Sequence, residues 1–204
     1  MLASIKQQLR KYPIIHCDYQ SYQQGSVAAV LLVLHGDPDN PKLVLTKRAA
    51  HLNNHGGEVA FPGGMWDLED ANLWCTAVRE TEEEIGLLAS QIEPIAMLPK
   101  ESPRRRNIQV TPFVSWALSP LELTPDPSEI ADIFHLPLKA VTEMHRYQYY
   151  EFTEDCIKLP CLQYQGYKIW GFTLKVIVDM LNITIGAGIK LRYPSPQQLQ
   201  QLGY

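Results

Sequence analysis

The sequence predicts an α/β or α+β fold, because predicted strands and helices alternate along the chain. Val- and Leu-rich segments of strand length alternate along the chain with segments whose apolar residues recur at helical spacing. Hydrophobic residues make up 46% and charged residues 20% of the 204 residues, a composition typical of globular proteins. A chain of this length can build one substantial core, so we predict a single domain over residues 1–204.

The first third of the chain predicts a helix followed by a β-hairpin. Polar and apolar residues recur at helical spacing over residues 3–12, which predicts a short amphipathic helix on the outside of the domain. Residues 26–35 have the length and the Val and Leu content of a buried strand. A Gly-Asp-Pro-Asp-Asn turn at residues 36–40 and a second strand over residues 42–48 complete the hairpin.

The second half predicts more strands and two helices. Pro112 cannot donate to a sheet, so its strand is expected at an edge or at a bulge. Residues 129–134 fit either a strand or a single helical turn. The remaining predictions are strands over residues 92–98, 108–116, 147–152 and 162–170, helices over residues 138–144 and 172–181, and a loop over residues 100–107.

The segment Arg-Glu-Thr-Glu-Glu-Glu-Ile-Gly-Leu at residues 79–87 is the most informative part of the chain. At 3.6 residues per turn, Glu80, Glu83 and Glu84 share one helix face, and apolar residues form the opposite face. We therefore expect a helix that packs against a core, holds its acids outward and ends at Gly86. Neighbouring carboxylates repel each other, so this face suits a divalent cation with oxygen ligands, such as Mg²⁺. A solvated acidic face is the alternative.

A second pattern, Glu-Val-Ala-Phe-Pro-Gly-Gly at residues 58–64, predicts a short strand and a sharp turn just before the acidic helix. Gly63 and Gly64 allow the backbone to approach a ligand closely because they have no Cβ. An ordinary tight turn would use the same residues. Adjacent glycines followed by an acidic helix nevertheless form a compound pattern that favours a metal–diphosphate site.

Residues 64–87 resemble the Nudix box: Gly, five residues, Glu, seven residues, then Arg-Glu-(apolar)-x-Glu-Glu-x-Gly-(apolar). Residues 79–87 match this pattern, with Thr81 in an apolar position. The first Glu and Gly of the pattern are represented by Asp70 and Gly64, each one residue early, so the turn contains an additional residue. The resemblance implies a Nudix hydrolase with a Nudix-like mixed β-sheet sandwiched between α-helices.

The additional residue resembles the coenzyme A pyrophosphatase branch of that family, which has a further upstream signature. That signature reads roughly Leu-Leu-Thr-x-Arg-(Ser/Ala)-x-x-x-Arg-x-x-x-Gly-x-x-x-Phe-Pro-Gly-Gly. The chain has Val-Leu-Thr-Lys-Arg-Ala at residues 44–49, Gly57, and Phe-Pro-Gly-Gly at residues 61–64, all at matching spacing. Asn53 replaces the second Arg, which removes a cation that could contact a phosphate of the nucleotide.

The resemblance also implies roles for individual residues. Arg79 and Glu83 are expected to form the catalytic pair, in which Arg79 holds the Glu83 carboxylate. The general base often lies outside the box, and Glu129 and Glu143 are candidates for it. The expected ligands of Mg²⁺ or Mn²⁺ are Glu80, Glu83, Glu84 and the Gly64 carbonyl, and the expected substrate contacts are Arg48, Gly63, Gly64, Arg104 and Arg105.

The implied reaction is metal-dependent hydrolysis of a diphosphate linkage in a nucleoside diphosphate derivative. Coenzyme A or acyl-coenzyme A would give 4'-phosphopantetheine, or its acyl form, and adenosine 3',5'-bisphosphate. Asn53 leaves other Nudix substrates open: ADP-ribose, a nucleotide sugar, a dinucleoside polyphosphate or a nucleoside triphosphate. A catalytically silent Nudix module that only binds a ligand is a further alternative. The retained glutamates argue against it, because a silent domain has no need for mutually repelling acids.

Charge and cysteine content restrict partners and location. A net charge of −4 argues against nucleic acid as the main partner, and a small-molecule nucleotide is expected instead. No apolar run reaches the ~18 residues needed to span a bilayer, so no membrane is expected. The four cysteines form no CxxC pair and no secretory segment opens the chain, which predicts a cytoplasmic location. The sequence leaves open whether the molecule is a homodimer.

Overall fold

A computed structural model describes residues 1–14, 26–52, 55–103, 108–118, 120–151 and 158–193. Among these residues, no helix has the length and apolar character needed to cross a bilayer. The helices are α1 (Leu2–Leu9), α2 (Leu73–Ile85), α3 (Leu138–Val141) and α4 (Gly171–Ile185). The strands are β1 (Val27–Asp37), β2 (Asn40–Arg48), β3 (Val59–Ala60), β4 (Gly63–Met65), β5 (Ile92–Met97), β6 (Gln109–Ala117), β7 (Ile130–Pro137), β8 (Tyr147–Glu151), β9 (Lys158–Tyr164) and β10 (Tyr167–Trp170).

A seven-stranded mixed sheet forms the centre of the molecule and confirms the predicted fold class. Its main path runs β3-β2-β1-β6-β5, with β4 also paired to β1 and β7 to β2. The β1–β6 pair is parallel and the other pairs are antiparallel. A second, three-stranded antiparallel sheet has the order β10-β9-β8.

The two strands of the first hairpin, β1 and β2, diverge away from their turn, and the segment with the two glycines lies between them. β1 and β2 pair only next to their turn, from Asp37↔Asn40 to Leu34↔Leu43. Farther from the turn, β2 pairs with β3 while β1 pairs with β4. The predicted sharp turn therefore lies at Phe61 and Pro62, between two short strands, and the two glycines belong to β4. The β3–β4 segment fills the gap between β1 and β2.

Both faces of the central sheet are covered. Alternate residues of β1 point to opposite faces, so Leu31 and Val33 pack beneath α2 while Leu32 and Leu34 pack toward α1 and α4. A Val- and Leu-rich strand is expected when both faces are buried. The sandwich of helices around a mixed sheet is thus present in this chain.

The N-terminal helix differs from its prediction only in length, because it ends at Leu9 rather than near residue 12. Its Ile5 and Leu9 side chains are fully buried beside α4, whereas Ala3, Ser4 and Gln7 are exposed. The predicted amphipathic helix on the outside of the domain is therefore confirmed. Spacing identified its apolar face but carried no information on what would cover that face.

The strand that contains Pro112 is central and keeps a regular register with β1 through that residue, so the edge or bulge predicted for it was wrong. β6 pairs with β1 on one side and β5 on the other. The Pro112 carbonyl accepts from Leu98 N at 2.8 Å, which shows that this residue presents its backbone polar groups toward β5 and not toward β1. Leu98 lies just beyond the end of β5. The N–H group that proline lacks would therefore face a position where the regular β5–β6 hydrogen bonding has already ended.

Three other segments resolve or revise the predictions. Residues 129–134, which fitted either a strand or a helical turn, belong to strand β7. The single strand predicted over residues 162–170 is instead part of the β9–β10 hairpin. Gln165 (φ 47°) and Gly166 (φ 86°) form its two-residue turn with positive φ at both positions. The helix predicted over residues 138–144 ends at Val141.

Candidate active site

Helix α2 is fixed at both ends, which sets the positions of its acidic residues. Its N-cap Asn72 accepts from Cys75 N through Oδ1 at 2.9 Å, and Gly86 ends it with φ 71°. Two backbone N–H groups from the connection before β7 satisfy carbonyls of its last turn. Thr124 N donates to Ile85 O and Asp126 N donates to Glu84 O, both at 2.9 Å. The last turn of α2 is thereby attached to the segment that enters β7.

Glu84 is the most deeply placed acid of the helix. Its side chain is 4% exposed; Oε2 accepts from Gly63 N at 3.1 Å and Oε1 from Arg48 Nη1 at 3.2 Å. Burial raises the pKa of Glu84 to about 7, against the opposing effects of the Gly63 N–H and Arg48. The expectation that the helix holds its acids outward is therefore wrong for this residue, because the β3–β4 segment and Arg48 cover it.

Glu80 lies against the glycine segment. A Cβ built at Gly64 would overlap with the Glu80 carboxylate, so the absence of a side chain at Gly64 is what allows this approach. The Glu80 side chain is 20% exposed, and burial raises its pKa, with repulsion from Glu83 and Glu129 adding to the effect. Glu83, in contrast, is 60% exposed.

Arg79 organises the exposed side of the same cluster. Its Nη1 lies 3.0 Å from Glu83 Oε2 and 3.0 Å from Glu80 Oε1, so the predicted contact with Glu83 is present. The rest of the guanidinium makes a two-point contact with Asp70, Nε to Oδ1 and Nη2 to Oδ2, both at 2.9 Å. Burial alone would raise the pKa of Asp70, but hydrogen bonds from Arg79 and from Asp67 N hold it below its usual value.

Asp70 received no role in the sequence analysis. Asp70 stands one residue before the position of the first Glu in the Nudix pattern, which could have indicated a role for it. Spacing alone does not show which side chain an acid at that position contacts. In the structure the additional residue is accommodated in the loop before α2, and Asp70 still reaches Arg79.

Arg48 connects α2 with the start of β7. Besides Glu84, it contacts Glu129, with Nη2 3.6 Å from Glu129 Oε2. Of the two proposed bases, Glu129 thus lies beside the acidic cluster, whereas Glu143 pairs with Arg146 at 2.7 Å. Asn53, Arg104 and Arg105 lie outside the described residues, so the structure does not bear on their predicted roles.

The donors present fit a hard divalent cation. Carboxylate oxygens of Glu80 and Glu84 come from one helix and lie against Gly64 and Gly63, respectively, and oxygen ligands of this kind suit Mg²⁺ or Mn²⁺. In the described part of the chain, no three His, Cys, Asp or Glu side chains converge closely enough to hold a metal ion. Arg48 and Arg79 contact the carboxylates that a cation would use, at 3.2 Å from Glu84 and 3.0 Å from Glu80.

Comparison with known proteins agrees with the fold and the motif. Residues 25–156 match the NUDIX domain family. An uncharacterised Nudix hydrolase of Photorhabdus laumondii, NudL, is 36% identical over 153 residues, which cover 74% of this chain and 80% of that protein. NudL of Yersinia enterocolitica is 35% identical over 153 residues, covering 74% of this chain and 77% of the relative. The chain therefore belongs to the NUDIX domain family and is a Nudix hydrolase.

Solved structures support the fold alone. A MutT/nudix family protein from Enterococcus faecalis aligns with 100% of this chain and 75% of its own, at 17% identity and a TM-score of 0.50. A Deinococcus radiodurans protein aligns with 82% of this chain and 90% of its own, at 12% identity and a TM-score of 0.50.

Nudix hydrolases generally use divalent metal ions and act on small nucleotide substrates.

Proposed function

We propose that this enzyme hydrolyses the diphosphate linkage of coenzyme A or acyl-coenzyme A. The products are 4'-phosphopantetheine, or its acyl form, and adenosine 3',5'-bisphosphate. The observation that supports this proposal is the contact between the two sequence signatures. Arg48 and Gly63 belong to the upstream signature, and their N–H groups donate to the two oxygens of Glu84 in the Nudix box. The two signatures thus build one site rather than two separate features.

Glu80, Glu84, Glu83 and the Gly64 carbonyl are the proposed ligands of Mg²⁺ or Mn²⁺. A bound cation would neutralise negative charge on the diphosphate. Arg79 keeps Glu83 and Glu80 oriented, and Asp70 fixes Arg79 through two hydrogen bonds. Arg48, Gly63, Arg104 and Arg105 are the proposed contacts with the substrate phosphates.

In the proposed reaction, the oxygen of a water molecule forms a bond to one phosphorus of the diphosphate. The bond from that phosphorus to the bridging oxygen breaks, and the bridging oxygen leaves on the other phosphate. Glu129 is the better candidate to accept the proton of the water, because Arg48 holds it beside Glu84. Glu143 is engaged elsewhere by Arg146.

A second candidate is a Nudix hydrolase for another diphosphate, such as ADP-ribose, a nucleotide sugar, a dinucleoside polyphosphate or a nucleoside triphosphate. Asn53, which stands where the coenzyme A signature has Arg, is the residue that favours this candidate. A cytoplasmic location is part of the proposal, since both candidates act on intracellular nucleotides.

Product analysis by mass spectrometry tests the two candidates. The enzyme is incubated in ¹⁸O-labelled water with Mg²⁺ or Mn²⁺ and, separately, coenzyme A, acetyl-coenzyme A, ADP-ribose, NADH and a diadenosine polyphosphate. We expect 4'-phosphopantetheine to be released with far higher efficiency than any other product, and one product to carry a single ¹⁸O. The labelled product identifies the phosphorus that is attacked.

A Glu84→Gln variant purified in parallel controls for contaminating hydrolases. Cleavage of another substrate without cleavage of coenzyme A would establish the second candidate. Binding of a nucleotide without turnover of any substrate would contradict both candidates and favour a silent module.

A further inference from the structure

We infer that Arg48 is an internal counter-ion of the candidate cation site, and that a divalent cation displaces it from Glu84 on binding. This inference rests on the proposed role of Glu84 as a metal ligand. It gives Arg48 a function that neither the box nor the upstream signature specifies. Arg48 is a positioning residue in this scheme, because it acts through the carboxylates.

The backbone around Arg48 is held firmly from two sides. Arg48 N donates to Glu58 O at 2.9 Å, and its carbonyl accepts from Gly57 N at 3.1 Å. The next residue, Ala49, donates to Glu129 O at 2.7 Å. The β2–β7 register shifts beside Arg48, because Lys47 pairs with Asp132 and Arg48 pairs with Ile130, so the additional residue belongs to β7 and β2 itself continues without interruption. The guanidinium is therefore directed at the acidic cluster by its own strand.

The guanidinium joins two acids from separate segments. Nη1 contacts Glu84 of α2 at 3.2 Å and Nη2 contacts Glu129, just before β7, at 3.6 Å. Glu84 is 4% exposed and Arg48 is 24% exposed, so the pair is largely removed from water. A buried carboxylate without a partner is strongly unfavourable, which makes Arg48 the charge that stabilises Glu84 when no metal is bound.

The same contact competes with metal binding. Glu84 Oε1 accepts from Arg48 and Oε2 accepts from Gly63 N, and each oxygen keeps a second lone pair. The competition is therefore one of charge, because the guanidinium lies at the carboxylate that a cation would bind and two positive groups there repel each other. The Gly63 donor is part of the backbone in β4 and cannot move away without breaking its pairing with β1. The side chain of Arg48 can move, and once displaced it remains at the site where a substrate phosphate is expected.

Competition predicts opposite effects of an Arg48 variant with and without metal. If Arg48 were only a structural ion pair, its removal would lower stability in both states and would leave metal affinity unchanged or weaker. If Arg48 is the counter-ion that the cation displaces, its removal destabilises the metal-free protein and strengthens metal binding. The sign of the change in metal affinity thus separates the two roles.

The test measures Mn²⁺ affinity by isothermal titration calorimetry at pH 8 and 0.15 M KCl for the wild type and four variants: Arg48→Gln, Arg48→Lys, Lys47→Gln and Glu84→Gln. We expect Arg48→Gln to bind Mn²⁺ about tenfold more tightly than the wild type, because a competing positive charge has been removed. Arg48→Lys keeps one charge without the two-point geometry and should lie in between. Lys47→Gln is the matched control, since Lys47 is exposed, is the neighbour of Arg48 in β2 and points to the other face.

Thermal unfolding of the same proteins provides a second measurement. In EDTA, Arg48→Gln should melt below the wild type, and saturating Mn²⁺ should narrow or remove the difference. Equal or weaker Mn²⁺ binding by folded Arg48→Gln or Arg48→Lys would overturn the inference, as would equal tightening by Lys47→Gln. Mn²⁺ binding that is unchanged in Glu84→Gln would instead refute the proposed metal site, so the two failures are distinguishable.

Discussion

Gly63 and Gly64 lie side by side but have different physical reasons for lacking a side chain. Gly63 has φ 141°, and a Cβ there would overlap with the backbone of Ala29 in β1. Gly64 has no positive φ, and the atoms nearest to a Cβ built there belong to the Glu80 carboxylate. Gly63 is thus required by the fold, whereas Gly64 is required by the site.

A pair of alanine variants separates these two requirements. Gly63→Ala should lower the free energy of unfolding by about 3 kcal/mol or more, because neither the strained φ nor the β1 backbone can be relieved easily. Gly64→Ala should fold with nearly wild-type stability but lose most of its Mn²⁺ affinity and turnover, because Glu80 is displaced. Urea unfolding and calorimetric Mn²⁺ titration measure the two effects. Wild-type Mn²⁺ affinity in Gly64→Ala would contradict the placement of Glu80 at the metal.

The Glu84→Gln variant tests the proposed metal ligand directly. Gln is isosteric, can still accept from Arg48 or Gly63, and removes a buried charge, so the melting temperature in EDTA should stay within a few degrees of the wild type. Turnover should fall by at least about 10³-fold, because a neutral amide is a poor ligand for Mg²⁺. Glu82→Gln, on an exposed position of the same helix, is the control. Full activity in a normally folded Glu84→Gln protein would refute the assignment.

The secondary-structure elements around the site depend on contacts between segments far apart in the chain. The β3–β4 segment exists as two strands because β1 and β2 diverge and leave backbone groups on both sides to be paired. The last turn of α2 is satisfied by the segment that leads to Glu129. The elements therefore bring Arg48, Glu84 and Glu129 together through backbone hydrogen bonds that do not depend on the acids themselves.

Helix α1 belongs to the core on the side of the sheet opposite the candidate site. Ile5 is fully buried among residues of α4 and the sheet, so Ile5→Ala should lower the free energy of unfolding by about 2–4 kcal/mol. Gln7→Ala, at an exposed position of the same helix, should change it by less than about 0.5 kcal/mol. Urea unfolding measures both values. A loss below about 1 kcal/mol for Ile5→Ala would show that α1 does not pack as described.

A partly buried histidine pair links the stability of the whole molecule to pH. His35 in β1 and His135 in β7 approach with His135 Nδ1 2.7 Å from His35 Nε2, and their rings pack edge to face. Burial, followed by repulsion from His135 and Lys42, lowers the pKa of His35 to about 4. The pKa of His135 is lowered by burial and by Lys42. The folded protein therefore binds fewer protons here than the unfolded chain does.

This difference in proton binding predicts that the pair destabilises the fold as pH falls. Above pH 6.5 neither state is protonated, and the cost grows between about pH 6.5 and 4 as only the unfolded chain takes up protons. Because His35 is only about half-buried, we expect its lowered pKa to cost about 1 kcal/mol at pH 4.5. Glu84, with its raised pKa, contributes with the opposite sign below pH 7, so the slope of the wild type alone does not isolate the histidines.

Comparison with His35→Gln isolates this contribution. The free energy of unfolding is measured for both proteins by urea unfolding in EDTA. Lowering the pH from 7.5 to 4.5 should destabilise the wild type by about 1 kcal/mol more than it destabilises His35→Gln. The Glu84 contribution cancels in that difference, because Glu84 is present in both proteins. A difference that is constant over this pH range would contradict the lowered pKa of His35.

Local sequence determined most of the secondary structure and the identity of the acidic helix. Val and Leu residues of β1 form a buried strand because their side chains suit both of its covered faces. Asn72 and Gly86 set the ends of α2 through contacts within a few residues. The box and its upstream signature likewise depend only on spacing, so the family could be predicted before any coordinates were known.

Tertiary structure alone decided which of these residues meet. Periodicity showed that Glu84 shares a face with Glu80, but not that the β3–β4 segment would bury it. Asp70 reaches Arg79 from the loop before α2, and no local pattern predicts an ion pair between Arg48 and an acid 81 residues later. The pairing of β1 with β6 brings distant strands together in the same way. A sequence period fixes the direction of a side chain relative to its own element, whereas its burial, charge partner and pKa depend on the element that packs against it.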